Sequence, residues 1–152
     1  MPNCLTEGCK LFPKAGAQYY SKCIFNLDFN STEQYIETLK HENESYRWRA
    51  ANSLRHSGAE AVLPLIECLR DESKIVRKSA AYSLGIIRDP LAVEPLIGLL
   101  LDDSSRVRKE ACASLGKIGD YRAIIPLENL LESETKQKNL RTIQIALHKL
   151  KG

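Results

Sequence analysis

The sequence repeats itself at a nearly constant spacing. Residues 76–85 read Val-Arg-Lys-Ser-Ala-Ala-Tyr-Ser-Leu-Gly, and residues 107–116 read Val-Arg-Lys-Glu-Ala-Cys-Ala-Ser-Leu-Gly, 31 positions later. Residues 92–97 recur at 123–128 with the same offset, and residues 46–54 form an earlier copy of the first segment with an offset of 30. A period of this length predicts a solenoid of stacked units, each built from one supersecondary motif.

Each unit reads as two helices. The apolar positions of one first helix follow helical spacing, and they are Val76, Ala80, Ala81, Leu84 and Ile87. We expect Lys78, Ser79 and Ser83 to point outward from this helix. A proline falls in the first turn of each second helix, at Pro64, Pro95 and Pro126. The sequence therefore predicts an all-α fold, an α-solenoid of antiparallel helix pairs in a right-handed superhelical stack.

The repeats define the expected organisation of the chain. We assign a half-unit to residues 31–45, full units to 46–75, 76–106 and 107–138, and a C-terminal capping helix to 139–151. Residues 1–30 precede the repeats and are interpreted as a partly ordered arm or a cap over the end of the stack. This arm contains Cys4, Cys9 and Cys23, whose spacing matches no strong metal motif, so a reduced arm is favoured and a metal site stays open.

Composition agrees with one soluble domain. The chain has 152 residues, of which 43% are hydrophobic and 27% charged. No apolar run approaches the roughly 18 residues that a membrane span needs, and the start of the chain lacks the pattern of a secretory signal. We therefore expect a cytoplasmic protein without a membrane partner.

The repeated motifs resemble HEAT-like repeats of the phycobilisome-lyase type. The resemblance rests on Val-Arg-Lys-x-Ala-x-x-Ser-Leu-Gly and on Asp-Pro-Leu-Ala-Val-Glu-Pro-Leu-Ile, and it covers roughly residues 31–150. It implies the solenoid fold. For function it implies several possibilities: a subunit for chromophore attachment, an iron-dependent hydroxylase, or a scaffold.

The sequence does not favour an enzyme. The hydroxylases of this resemblance carry His-Glu pairs on the first helices, where this chain has Lys78-Ser79 and Lys109-Glu110. Its single His-Glu pair, at residues 41 and 42, aligns with an acidic loop between units. Phosphate-binding loops and nucleophile motifs are also absent. We expect no catalytic residues, no metal and no cofactor, and we interpret Cys68 and Cys112 as small buried apolar residues.

Three arginines recur near the start of the first helices, at Arg47, Arg77 and Arg108. With Arg49, Lys78 and Lys109 they raise the alternative of nucleic-acid binding. However, the net charge is only +3, and each basic pair follows an acidic loop. We therefore favour a ladder of ion pairs between repeats and expect no nucleic-acid partner.

The exposed side of the second helices is the candidate binding surface. Apolar and acidic residues vary there between units, and in the resembling solenoids these helices line the concave face. We predict a small apolar patch with an acidic rim that binds a protein segment carrying basic and apolar residues. The residues are Glu37, Leu63, Glu67, Glu94, Leu101, Ile125 and Asn129. Alternatively, these side chains merely contact neighbouring helices or solvent.

Two functions follow from this interpretation. The first is a scaffold without catalysis that binds a protein partner on its concave face. The second, supported by the resemblance alone, is an accessory subunit or chaperone of a lyase that attaches a bilin cofactor. The sequence leaves the oligomeric state open.

Overall fold

The computed structural model of the protein describes residues 32–152, which form eight α-helices joined by short turns. The predicted arm at residues 1–30, with Cys4, Cys9 and Cys23, lies outside the described residues. The first helices of the units are α2 (Glu44–Ser53), α4 (Lys74–Ile87), α6 (Ser105–Ile118) and α8 (Gln137–Lys151). The second helices are α1 (Thr32–Thr38), α3 (Val62–Cys68), α5 (Val93–Gly98) and α7 (Ile124–Ser133).

Local sequence sets where the first helices begin and end. The Ser73 hydroxyl accepts a hydrogen bond from the Ile75 amide and caps the start of α4. At the other end, Arg88 follows α4 with a φ of 61°, and Gly119 follows α6 with a φ of 82°. This left-handed conformation closes the last helical turn and redirects the chain towards the next second helix.

The helices form two layers. First helices contact one another in the order α2, α4, α6 and α8, and each second helix packs against the first helix that follows it in the chain. A short 3-10 turn precedes each of α3, α5 and α7. The prediction of an all-α solenoid of helix pairs is therefore confirmed. Within residues 32–152, no helix combines the length and the apolar character needed to cross a bilayer.

Small residues allow the first helices to approach closely. The paired positions Ala50-Ala51, Ala80-Ala81 and Ala111-Cys112 are all buried, with at most 1% of any of these residues exposed. A Cβ atom placed on Gly85 of α4 would lie 2.7 Å from the Ser114 Cβ and 2.9 Å from its Cα. The contact between α4 and α6 therefore leaves no room for a side chain at Gly85.

The expectation that Ser79 and Ser83 point outward is wrong. Both residues are buried, and Ser83 is fully enclosed. The Ser83 hydroxyl donates to the Ala51 carbonyl at 2.6 Å, and the equivalent Ser114 hydroxyl donates to the Ala81 carbonyl at 2.8 Å. The helices α4 and α6 each lie between two other first helices, so a small polar residue at this position becomes buried and bonds to the preceding helix.

Two cysteines contribute to the core as predicted. Cys68 and Cys112 are buried and reduced. Burial raises the pKa of each thiol to about 12. They are therefore held as protonated, apolar side chains.

Candidate protein-interaction face

An ion pair within one unit joins each of α2, α4 and α6 to the loop that ends that unit. The Arg77 Nε atom donates to Asp102 Oδ2 at 2.7 Å, and a second guanidinium nitrogen donates to Asp102 Oδ1 at 3.1 Å. The remaining nitrogen donates to the backbone carbonyls of Asp71 and Glu72. The Arg77 side chain thus joins the loop before α4 to the loop after α5.

The same arrangement recurs one unit before and one unit after. Arg47 Nε donates to Asp71 Oδ2 at 2.8 Å, and Arg108 Nε donates to Glu134 Oε2 at 2.9 Å. The predicted ladder is present, but the expectation that its ion pairs lie between repeats is wrong, because each arginine pairs with a carboxylate of its own unit, 46–75, 76–106 or 107–138. The preceding unit, whose acidic loop the sequence suggested as the compensating partner, supplies backbone carbonyls instead.

The carboxylates of the ladder are stabilised as anions. The hydrogen bond from Arg108 is the main cause that lowers the pKa of Glu134 to about 2, and Asn139 and the Lys136 amide add to it. Burial raises the pKa of Asp102, but the hydrogen bonds from Arg77 and the Ser104 amide outweigh it, so this pKa lies below its usual range. Asp102 and Glu134 are therefore charged at neutral pH.

One surface of the second helices remains open to solvent, and we call it the second-helix face. All of its residues are exposed, and they are the seven named from the sequence: Glu37, Leu63, Glu67, Glu94, Leu101, Ile125 and Asn129. Leu63 and Ile125 each expose 65% of their surface, and Leu101 exposes 87%. These three apolar side chains are not used to pack the helices against one another.

The second helices themselves carry only negative charge, whereas the turns after α1 and α3 contribute Lys40 and Arg70. The helices α1, α3, α5 and α7 contain six glutamates and neither lysine nor arginine. Glu94 is partly compensated, because its Oε1 lies 3.6 Å from a guanidinium nitrogen of Arg122. The apolar residues of the second-helix face are thus flanked by carboxylates.

An open groove lies at the α1 and α3 end of the face. It has a volume of about 350 Å³, and Ile36, Leu39 and Leu63 contribute its apolar lining. Glu67 lines it together with Lys40 and Arg70. Sequence reasoning missed the groove, because half-buried Ile36 and buried Leu39 line it only where α1 lies beside α3.

The described residues contain no cluster of three or more His, Cys, Asp or Glu side chains that could hold a metal ion. His41, of the His-Glu pair, accepts from the Asn43 amide through Nδ1 at 3.0 Å. Asp71 accepts from the Ser73 amide in the same way at 2.8 Å. His41 therefore serves as a loop residue at the position that an aspartate holds in later units.

The sequence matches a known family of repeats. The family model described as HEAT repeats matches residues 32–107 and, in an overlapping match, residues 65–148. No curated protein matches the sequence significantly.

Solved structures share the fold. The chain is 27% identical to a chain in the complex of CpcE and CpcF of phycocyanin lyase from Nostoc sp. PCC7120, with a TM-score of 0.72, covering 79% of this chain and 53% of that one. It is 28% identical to human deoxyhypusine hydroxylase, with a TM-score of 0.68, covering 79% of this chain and 43% of that one.

A designed armadillo repeat protein in complex with the peptide (KR)4 is 23% identical, with a TM-score of 0.63, covering 80% of this chain and 64% of that one. This likeness concerns the fold alone. The chain thus spans about half of the length of the lyase chain and less than half of the hydroxylase.

Proposed function

The chain belongs to the HEAT repeat family, and from this premise we propose that it is a non-catalytic scaffold that binds a protein segment on its second-helix face. The observation that carries the proposal is the exposure of Leu63, Leu101 and Ile125 among glutamates. Burying one such side chain in an interface contributes about 1.5–3 kcal/mol, so three of them can anchor a partner.

The chemistry of the face defines the partner. Six glutamates without a lysine or arginine on the same helices favour a segment that carries basic residues. The groove beside Leu63 has room for one or two apolar side chains at its volume of about 350 Å³. We therefore expect an anchor residue in the groove and basic residues towards Glu67 and Glu94.

A capture experiment with matched variants tests this proposal. The full chain and the variant E67Q/E94Q/I125S are used as baits in native cell lysate, and retained proteins are identified by mass spectrometry. The control variant E44Q/E110Q/I145S removes the same residue types from the first helices. A protein retained by the wild type and the control, but lost by the first variant, is expected. Equal retention by all three baits, or retention by none, contradicts the proposal.

The similarity to the phycocyanin lyase complex favours a second candidate function, that of an accessory subunit or chaperone of a lyase attaching a bilin. The whole lyase's activity does not transfer directly, because the chain spans 53% of that neighbour. Mixing the chain with a bilin and an acceptor protein separates the candidates. A change in the absorption spectrum supports the lyase role, whereas a passive scaffold leaves it unchanged. The cytoplasmic location stays a prediction.

A further inference from the structure

The first helices carry a charge opposite to that of the second helices. Together α2, α4, α6 and α8 contain thirteen lysines and arginines and two glutamates. The ladder uses three of these arginines, Arg47, Arg77 and Arg108. It therefore accounts for only a small part of the basic charge on this side of the molecule.

Three equivalent positions on each of α4, α6 and α8 form a grid on the outer side of the first helices. The positions are four residues apart within a helix and so share one stripe, and the three helices lie side by side. We call this surface the first-helix face. It consists of Lys78, Tyr82 and Ile86, then Lys109, Ala113 and Lys117, then Arg141, Ile145 and Lys149.

The grid holds five cations, four apolar or aromatic residues and no carboxylate. Within residues 32–152, none of the five cations takes part in an ion pair. Lys117 makes a cation–π contact instead, because its Nζ lies 4.8 Å from the centroid of the Tyr82 ring on the neighbouring helix. Ile145 exposes 58% of its surface.

We propose that the first-helix face is a second interaction surface, which binds an acidic protein segment that also carries apolar residues. Charge complementarity demands an anionic partner. The apolar residues indicate which class of anionic partner fits. A phosphate backbone has no apolar groups to pack on Ile86 and Ile145, whereas an amphipathic acidic helix can bury both residues and pair its carboxylates with the lysines. Residues 1–30 do not have the acidic charge expected of this partner, because they contain three lysines and two acidic residues.

This surface is independent of the function proposed above. The two faces carry opposite charge, so a segment that complements one is repelled by the other. The chain would thus bring together a basic segment and an acidic segment. If the capture experiment contradicts partner binding at the second-helix face, the proposal for the first-helix face still stands.

The probe for this proposal is a fluorescent synthetic peptide with Glu and Leu at helical spacing. A length of about 15 residues gives a helix of about 22 Å, which spans three helices packed about 10 Å apart. Binding to the full chain is followed by fluorescence anisotropy. The same peptide with Lys in place of Glu, and a short duplex DNA, serve as comparison ligands.

Two variants with the same change in net charge distinguish a site from general attraction. K109E/R141E changes the first-helix face, and R88E/K136E changes exposed cations that lie in neither face. We expect K109E/R141E to weaken peptide binding at least about tenfold and R88E/K136E to leave it within about twofold. I86S/I145S should weaken peptide binding without changing the salt dependence. Circular dichroism establishes that each variant keeps its helices.

Three results would overturn the proposal. The first is equal weakening by both charge variants, and the second is absence of peptide binding up to about 1 mM. The third is that duplex DNA binds the chain more tightly than the peptide does, and that K109E/R141E loses this DNA binding while I86S/I145S keeps it. That result would assign the first-helix face to nucleic acid instead.

Discussion

Arg77 and Asp102 form a nearly enclosed ion pair although 25 residues separate them in the sequence. Their side chains expose only 13% and 6% of their surface. Asp102 also accepts from the Ser104 amide at 2.8 Å, so the same carboxylate orders the loop that begins α6. A single pair thus joins α4 to the loop from which the next first helix, α6, begins.

Replacing Asp102 should therefore destabilise the protein far more than replacing its neighbour. We expect Asp102→Asn to lower the free energy of unfolding by about 3 kcal/mol, because it removes the buried anion of a largely buried guanidinium. Asp103 contacts the same arginine but is 89% exposed, so Asp103→Asn should cost less than about 1 kcal/mol. Urea denaturation measures both. Similar losses in the two variants would show that burial of the pair is not the stabilising factor.

Glycine substitutions test the close contact between first helices. Gly85→Ala should lower the free energy of unfolding by about 1–3 kcal/mol, because the new methyl group collides with Ser114. Gly98 is also helical but has no atom within 4 Å of an added Cβ. There, alanine should stabilise the protein by up to about 1 kcal/mol. Thermal unfolding of both variants provides the measurement, and a gain from Gly85→Ala would contradict the packing described.

The stability should depend on pH through Glu134. Its folded pKa of about 2 lies below the ordinary value of 4.5, so its stabilisation is fully present above about pH 4.5 and is lost as the pH falls towards 2. The shift corresponds to about 3 kcal/mol. Urea unfolding at several pH values should show Glu134→Gln less stable than the wild type near neutrality, with the difference vanishing towards pH 2. A constant difference would refute this account of the carboxylate.

Thiol reactivity tests the burial of the two core cysteines. In the variant C4S/C9S/C23S, only Cys68 and Cys112 remain of the five cysteines. Because both are buried and have a pKa of about 12, neither should react with a disulfide reagent at about pH 8 in the native state. Both should react after denaturation. Rapid labelling of the native protein would mean that these units open easily.

Most of the fold could be predicted by aligning the sequence with itself. Positions that recur, such as Leu84 and Leu115, are core positions because every unit needs them. The buried serines could not be predicted in this way. Periodicity within one helix reports a single buried face, whereas Ser83 is enclosed because a neighbouring helix covers a second face.

The candidate site was less accessible to sequence reasoning. Self-comparison predicted which positions of the second helices vary, and the structure has these side chains exposed. It did not reveal the groove or the ion pair between Glu94 and Arg122, since both depend on residues from different elements. Treating Lys78 and Lys109 as part of the arginine ladder also obscured the first-helix face. The division of the chain into an arm and repeats remains a prediction.

Hydrogen–deuterium exchange of the full chain, with and without the partner obtained by capture, tests the central claim most directly. The account predicts slower exchange in peptides that cover residues 62–70, 93–101 and 124–132, because these segments carry the second-helix face. Residues 105–118 should exchange at unchanged rates. Protection confined to the first helices or to residues 1–31 would contradict the claim that the second-helix face binds the partner.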